Sequence, residues 1–277
     1  MTTQAASSEL HPPGTYSSWS AYLQRLWACR EYMFHVPRHE LRAQNMNTVL
    51  GNLWHLLNPI LGIAIYYLVF GVLLEVTKGV DNFIGFLAVG VFVFRYTQKS
   101  TMAGAKSLIQ NEGLMRSISF PRAMVPITAV VTEAMAFVPG VFVFLAVALL
   151  TGEPLRLTWL AVIPLFAAQF VFNVGLGLVA ARANHSYRDV ENLLPFLFRL
   201  LFYGSGVIFS VYAYLEHEAL RWLFILNPVF DYLALYRWAV LGMDILWAEA
   251  VAAAVWTLVM LLGGIVWFRR GEAGYGG

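Results

Sequence analysis

Residues 104–122 read GAKSLIQNEGLMRSISFPR, a basic amphipathic segment of 19 residues that lies between two long apolar stretches. Gly113 predicts a break between two short helical pieces, and Pro121 suits the first turn of a further helix. A polar segment this short between two membrane spans must face water, so its apolar side chains need a surface to pack on. We therefore expect a membrane pore that contacts a partner protein through this segment.

The composition places the whole chain in a membrane. Of its 277 residues, 59% are hydrophobic and 12% are charged, whereas soluble domains carry about 25% charged residues. The one cysteine, Cys29, excludes an intrachain disulfide and a cysteine metal cluster. The first 50 residues show no cleavable signal peptide, so the first span is expected to direct its own insertion.

Six stretches are predicted to cross a bilayer core of about 30 Å. The second is apolar only over residues 83–94, so we expect its helix to continue through Arg95 and Lys99 towards residue 105. The predicted spans are residues 53–74, 83–105, 124–150, 159–181, 193–213 and 248–268. The predicted fold class is an all-α integral membrane protein with six transmembrane helices.

The remaining segments flank or interrupt these spans. In residues 18–35 the apolar side chains recur at helical spacing, which predicts an amphipathic helix that lies at the membrane interface or packs on a neighbouring protein. Residues 214–247 carry repeated charges, each costing about 2.5–3.5 kcal/mol at the centre of a span, so we predict short external re-entrant helices broken at Asn227-Pro228. The predicted regions are a disordered tail (1–16), a cytoplasmic interface region (17–52), a six-span domain (53–268) and a cytoplasmic tail (269–277).

The distribution of basic residues predicts the orientation. With six spans, both termini lie on one side, and the positive-inside rule makes that side cytoplasmic. That side collects 13 of the 18 basic residues, namely Arg25, Arg30, Arg38, Arg42, Arg95, Lys99, Lys106, Arg116, Arg122, Arg182, Arg188, Arg269 and Arg270. Residues 104–122 are therefore expected to be cytoplasmic.

Motifs for catalysis and for nucleotide binding are missing from the sequence. No G-x-x-x-x-G-K-[ST] or G-x-S-x-G occurs, and the six histidines are scattered along the chain. We therefore predict no catalytic residue, metal or cofactor in this chain, and expect its energy to come from elsewhere.

Aromatic residues are candidates for the lining of the pore, because they make up 15% of the chain and several lie deep within predicted spans. Aromatic faces stack on sugar C–H groups and still allow a chain to slide. The alternative for each residue is helix packing or lipid contact. The candidate pore-lining set is Tyr66, Tyr67, Phe70, Phe196, Phe198, Phe202, Tyr203 and Phe209.

Two charges fall within predicted spans. Glu133 and Arg199 lie about 14 and 9 Å from the cytoplasmic ends of the third and fifth spans, counted at 1.5 Å per residue. A salt bridge between them would relieve two desolvation costs. The alternative is that each side chain faces a wet pore or extends to the interface.

Several short motifs occur in order across nearly the whole chain. They are Leu50-Gly-Asn-Leu-Trp54, Asn58-Pro59, Tyr66 with Val69-Phe70-Gly71, Phe120-Pro121-Arg122, Arg188-Asp189 before the fifth span, Asn227-Pro228 and Tyr236-Arg237. Taken together, they resemble the ABC-2-type polysaccharide and polyol-phosphate export permeases, which serve O-antigen and teichoic-acid export. The chain departs from the pattern of that family at Ser205-Gly206, where Ser-Pro is usual, and at Val91–Phe94, where a Trp is common. The resemblance therefore implies the class of protein but not the exact gate geometry.

The resemblance implies a homodimer of permeases with two copies of an ABC ATPase, which would bind ATP and Mg. It implies that residues 104–120 form the coupling helix, and that the first and fifth spans line a channel for a lipid-linked glycan, for which an actinobacterial cell-wall galactan is the suggested identity. The candidate coupling residues are Lys106, Leu108, Ile109, Glu112, Leu114, Met115, Arg116, Phe120 and Arg122. Two other classes stay open, an ABC-2 exporter of a drug or small lipid and a membrane-embedded transferase.

Overall fold

The computed structural model describes residues 18–43, 50–117, 120–214 and 218–275. This part of the chain is helical and contains no strand. The predicted disordered tail, residues 1–16, lies outside it. The helices are α1 (Trp19–Ala28), α2 (Arg30–Ala43), α3 (Trp54–Tyr66), α4 (Phe83–Gln110), α5 (Glu112–Ser117), α6 (Met124–Leu150), α7 (Val162–Ser186), α8 (Val190–Gly204), α9 (Val211–Tyr214), α10 (Glu218–Ile225), α11 (Pro228–Leu241) and α12 (Trp247–Gly271).

Four segments are long and apolar enough to cross a membrane, which establishes a multi-pass membrane protein. They are Leu56–Leu73, Met124–Leu150, Leu157–Ser186 and Trp247–Gly271. The first continues α3 into a π-helical turn over Tyr67–Leu73. Helix α4, with 28 residues, is about 42 Å long and extends through Arg95 and Lys99 as expected, but its charges set it apart from these four. The count of six spans stays a prediction.

The fifth predicted span is not one continuous helix. Helix α8 has 15 residues and ends at Gly204, which gives a length of about 22 Å. The chain then turns, and Gly206 has a φ of +63°, which favours glycine. The buried Arg237 of α11 donates to the carbonyl oxygens of Gly206 at 2.9 Å and Val207 at 2.8 Å. A distant side chain therefore satisfies the backbone groups that a longer helix would have paired.

Helix α4 is the centre of the bundle, because its residues from Phe83 to Leu108 are mostly buried and it packs on α3, α6, α7, α8 and α11. Polar side chains support this packing. Gln169 of α7 donates to the Val93 carbonyl at 3.2 Å and to the Thr97 hydroxyl at 3.0 Å. Helix α4, which carries Arg95 and Lys99, is thus the most buried of the long helices in the described fold.

Glycines allow α7 to approach two neighbouring helices closely. A Cβ built on Gly104 of α4 would lie 2.8 Å from the Gly177 Cα of α7. On the other side of α7, a Cβ built on Gly264 of α12 would lie 2.5 Å from the Gly175 carbonyl oxygen. Small residues of this kind let helix backbones pack tightly in membranes. Gly104, which opens the predicted coupling segment, therefore belongs to a helix crossing.

One end of the bundle, here called the basic end, holds α1, α2, α5 and residues 272–275. The single amphipathic helix predicted over residues 18–35 is two helices that meet at Cys29, and the second reaches Ala43. The opposite end holds the loops 74–82, 151–156, 205–210 and 242–246. Helices α10 and α11 meet at Asn227-Pro228, at the position predicted for the break.

The chain's C-terminal turn closes the basic end. The Arg122 backbone N–H donates to the Glu272 carboxylate at 2.7 Å, and its guanidinium donates to the Glu272 carbonyl at 3.0 Å. Burial raises the pKa of the Glu272 carboxyl, while the hydrogen bonds from Arg122 and Tyr22 oppose that shift. The Phe-Pro-Arg turn before α6 is therefore fixed to the end of the last helix.

Candidate coupling and transport sites

The predicted coupling segment is not a separate amphipathic helix. Residues 104–110 are the last two turns of α4, the chain breaks at Asn111, and α5 follows over Glu112–Ser117. Gly113, the predicted break, lies inside α5 and has space around it. The Asn111 side chain donates to the Ser107 carbonyl at 2.9 Å and so supports the end of α4.

The apolar residues of this segment divide into inward and outward groups. Leu108 and Met115 are buried, in one cluster with Tyr22 of α1 and Phe268 of α12. They pack inside their own chain, which contradicts their assignment as exposed docking side chains. Ile109, Leu114 and Phe120 are half-buried. Arg122 is buried and serves the C-terminal turn described above.

The charged residues of the segment lie on its surface. Arg116 pairs with Glu112 at 2.6 Å within α5. Lys106 pairs with Glu191 at 2.9 Å, which joins α4 to the start of α8. These exposed pairs set the local register and contribute little stability, since surface salt bridges contribute about 0–1 kcal/mol.

Arg188 and Asp189 are exposed on the link between α7 and α8. The residue that positions this link is Asn184, which our sequence analysis did not identify. Its amide donates to the Ala105 carbonyl at 2.9 Å and accepts from the Glu191 backbone N–H at 2.9 Å. The basic end of α4 and the α7–α8 link therefore form one unit.

The candidate channel aromatics also divide into two groups. Phe198 and Phe202 are buried and make edge contacts with Phe94 of α4, at 6.1 and 5.1 Å between ring centroids. The ring of Tyr66 in α3 lies 5.1 Å from the ring of Phe202 in α8, measured between centroids, so the first and fifth predicted spans are in contact. Phe209 lies in the turn after α8 and is half-buried, as is Phe70.

The second group of these aromatics faces outward. Tyr67, Phe196 and Tyr203 are 37%, 67% and 52% exposed. The exposed rings lie on α8 and on the π-helical turn that follows α3. Of the predicted set, these three rings are the ones available to a substrate, to lipid or to a second copy of the chain.

The hypothesised salt bridge between Glu133 and Arg199 is not formed. Arg199 is exposed, and its guanidinium lies 5.8 Å from the Phe196 ring centroid. The charged groups near Glu133 are Lys99 of α4 and Glu40 of α2. The α6 charge thus faces α4 and α2.

A pair of acidic residues lies near the opposite end, and the sequence did not predict that they pair. Asp231 of α11 and Glu249 of α12 are fully buried and interact electrostatically. Glu249 accepts a hydrogen bond from the Tyr212 hydroxyl, whereas neither carboxyl oxygen of Asp231 has a partner within the described residues. In the same described part of the chain, no group of three or more His, Cys, Asp or Glu is arranged to hold a metal ion.

Comparison with known proteins gives consistent matches over most of the chain. The family model for "ABC-2 type transporter" matches residues 38–241. The O-antigen export system permease protein RfbA of Klebsiella pneumoniae is 26% identical over 203 residues, which cover 73% of this chain and 77% of the relative. The Myxococcus xanthus protein of the same name is 26% identical over 218 residues, covering 78% and 82%. The polysialic acid transport protein KpsM of Escherichia coli is 24% identical over 242 residues, covering 84% and 90%.

Proposed function

The chain belongs to the ABC-2 type transporter family, and on that premise we propose that it is the permease subunit that exports a lipid-linked polysaccharide across the cytoplasmic membrane. The observation that carries this proposal is the similarity to permeases named for O-antigen and polysialic acid transport, which extends over 73–84% of the chain. A cell-wall or cell-surface glycan is the substrate class. Galactan stays a prediction.

A separate ABC ATPase supplies the energy in this proposal. The sequence contains no P-loop motif, so ATP and Mg bind the partner subunit, and this chain acts as a transport subunit without chemistry of its own. The basic end faces the cytoplasm, in agreement with the positive-inside rule.

The ATPase contacts α5 and the exposed part of residues 104–122. Leu114 is the half-buried apolar side chain of α5, flanked by the exposed charges Glu112 and Arg116. Movement of α5 reaches the bundle directly, because the buried Met115 beside it packs in the cluster that includes Leu108 of α4. Only the outward residues contact the partner, and the inward ones transmit the force.

A second copy of the chain completes the channel. Helix α8 exposes Phe196, Leu200 and Tyr203 along its outer side, at 67%, 71% and 52% exposure. The span Leu56–Leu73 is only 11% buried. These two neighbouring surfaces line the path of the glycan in the homodimer, where aromatic rings offer sugar units a sliding contact.

The test is depletion of the permease in the organism from which it comes. We expect lipid-linked glycan to accumulate on the cytoplasmic side and the surface glycan to disappear, and both effects should be reversed by the wild-type gene. Loss of drug resistance with unchanged surface glycan would instead support the drug or small-lipid exporter, and would refute the proposal. Product formation by the purified chain without an ATPase would support a transferase.

A further inference from the structure

We propose that a polar groove at the end opposite the basic end binds an uncharged segment of the emerging glycan. The proposal deepens the proposed function and rests on it for the identity of the ligand as a glycan. The groove consists of two adjoining cavities, of about 780 Å³ and about 460 Å³, which share Val80, Asp81 and Asn82 in their linings. Ligand sites have volumes of about 300–1,000 Å³, so both cavities have room for sugar units.

The groove leads from the candidate channel to the loop before α12. The smaller cavity is lined by Tyr67 and Gly71 of the π-helical turn. A Cβ built on Gly71 would lie 3.0 Å from the Tyr67 ring, so the ring lies over this glycine, and Tyr67 is 37% exposed. The larger cavity continues from Asp81 to Asp244 in the loop between α11 and α12. A glycan that leaves the channel at Tyr67 therefore reaches this loop through the groove.

Side chains in the larger cavity have hydrogen-bonding capacity that the fold does not use. Asp81 and Asp244 are exposed, and neither carboxylate makes a hydrogen bond or an ion pair with the described residues. The Arg156 guanidinium lies 3.7 Å from the Glu153 carboxylate, too far for a hydrogen bond. A sugar hydroxyl both donates and accepts, so it can donate to a carboxylate and accept from a guanidinium.

The charge balance of the groove favours an uncharged ligand. Among the described residues, the larger cavity is lined by three carboxylates and two guanidinium groups, which leaves one negative charge in excess; they are Asp81, Glu153, Asp244, Arg156 and Arg221. The smaller cavity adds no charged residue beyond Asp81. Like charges brought together oppose binding, so an anionic glycan is disfavoured and a neutral one is held by hydrogen bonds. In the described part of the chain, no carboxylate group is arranged to hold a metal ion there instead.

The loops around the groove are fixed in place before a ligand binds. The Asn82 side chain accepts from the Gly85 backbone N–H at 2.9 Å and donates to the Thr151 hydroxyl at 2.7 Å, which joins the start of α4 to the end of α6. Gly242 has a φ of +68°, and a Cβ built on it would overlap the Arg156 guanidinium. This guanidinium therefore rests on the backbone of the α11–α12 loop. Preorganisation of this kind lowers the cost of binding.

The exposure of these groups suits an exit path. Hydrogen bonds at exposed side chains give weak binding, and conduction requires that a ligand can leave as well as enter. Several weak contacts along the groove hold the emerging glycan while the ATPase resets, so that the glycan does not slide back into the channel.

The test measures binding of free oligosaccharides to the permease together with its ATPase in phosphatidylcholine nanodiscs, which leave both ends accessible. Neutral tetrasaccharides of galactose and of mannose are titrated and followed by saturation-transfer difference NMR, with a sialic acid tetrasaccharide as the charged probe. We expect Asp81→Ala and Asp244→Ala each to weaken binding of a neutral tetrasaccharide about tenfold, because each removes a charged hydrogen-bond acceptor. Glu75→Ala is the matched control and should change nothing, since Glu75 is an exposed carboxylate of the same loop as Asp81 and lines neither cavity.

The variants separate binding from folding, because Asp81 and Asp244 have no described partner to lose and both proteins should elute as the wild type does on size-exclusion chromatography. Affinity that is unchanged in both variants overturns the proposal, as does the absence of saturable binding by either neutral tetrasaccharide. Binding of the sialic acid tetrasaccharide as tight as that of the neutral ones overturns the assignment to an uncharged glycan. The depletion experiment above tests the proposed function separately: unchanged surface glycan on depletion would refute the export role, while tetrasaccharide binding that depends on Asp81 and Asp244 would still establish the site.

Discussion

The close contact between α7 and α12 gives a prediction with an internal control. A Cβ built on Gly264 would lie 2.5 Å from the Gly175 carbonyl oxygen, whereas a Cβ built on the adjacent Gly263 meets nothing within 4 Å. The variants Gly264→Ala and Gly263→Ala therefore differ in packing alone. Both gain the same intrinsic helix preference of alanine over glycine, about 1 kcal/mol.

The expected loss of stability in Gly264→Ala follows from this contact distance. Real Cβ contacts are essentially never shorter than 3.0 Å, so Gly264→Ala must move the two backbones apart by about half an ångström, at a contact made of backbone atoms that cannot rotate away. Overpacking of this kind costs about 1–3 kcal/mol. We expect Gly264→Ala to be less stable than Gly263→Ala by this amount.

The assay is equilibrium unfolding of the purified permease in mixed micelles on titration with dodecyl sulfate. Tryptophan fluorescence reports the transition, since Trp256 and Trp267 lie on α12 itself. Equal midpoints for the two alanine variants would refute the reasoning, because they would show that α7 and α12 do not approach as closely as the glycines allow.

Three further predictions follow from contacts elsewhere in the fold. Arg237→Met should destabilise the permease by about 3 kcal/mol in the same titration, because it leaves two buried carbonyl groups without donors; a change below 1 kcal/mol would contradict the capping role. Leu114→Asp should abolish glycan export and leave a folded permease, whereas Met115→Asp should fail to fold, as judged by size-exclusion chromatography. Export that survives Leu114→Asp would contradict the coupling role of α5. Glu272→Ala should increase protease cleavage at the Phe-Pro-Arg turn, since the Arg122 backbone N–H loses the carboxylate that accepts its hydrogen bond. Unchanged cleavage would show that this carboxylate does not hold the turn.

Regular apolar patterns predicted the long helices well. The third span was predicted as residues 124–150, and α6 is Met124–Leu150. The second was expected to continue through Arg95 and Lys99, and α4 does so. In these segments the apolar length and the local helix preference agree, so the sequence alone defines the element.

The errors occurred where a distant side chain decides the local structure. The stretch 193–213 is apolar apart from Arg199 and two serines, yet α8 ends at Gly204 because Arg237 supplies donors to the following turn. The break expected at Gly113 occurs at Asn111, since Gly113 fits an ordinary helical turn without strain. Neither effect can be read from local composition.

Site residues were harder to predict than helices. The spacing of residues shows which of them share a face of a helix, but it does not show which other part of the molecule packs against that face. Leu108 and Met115 were assigned to the partner and are buried in their own chain. Glu133 was paired with Arg199 from their similar depth, but the helices that bring a charge to Glu133 are α4 and α2. Depth along a span is a one-dimensional quantity, and ion pairing also needs the arrangement of the helices around the axis.

The central position of α4 has a consequence for how the protein is made. Helices enter the bilayer in chain order, so α4 emerges before α6, α7 and α11, the helices that later enclose it. At that moment Arg95, which is half-buried in the finished bundle, would have only α3 beside it, and its exposure to lipid would cost about 2.5–3.5 kcal/mol near the bilayer centre. Stable insertion of α4 therefore has to wait for at least α6. The assembly of the bundle is set by a helix that cannot remain in the membrane alone.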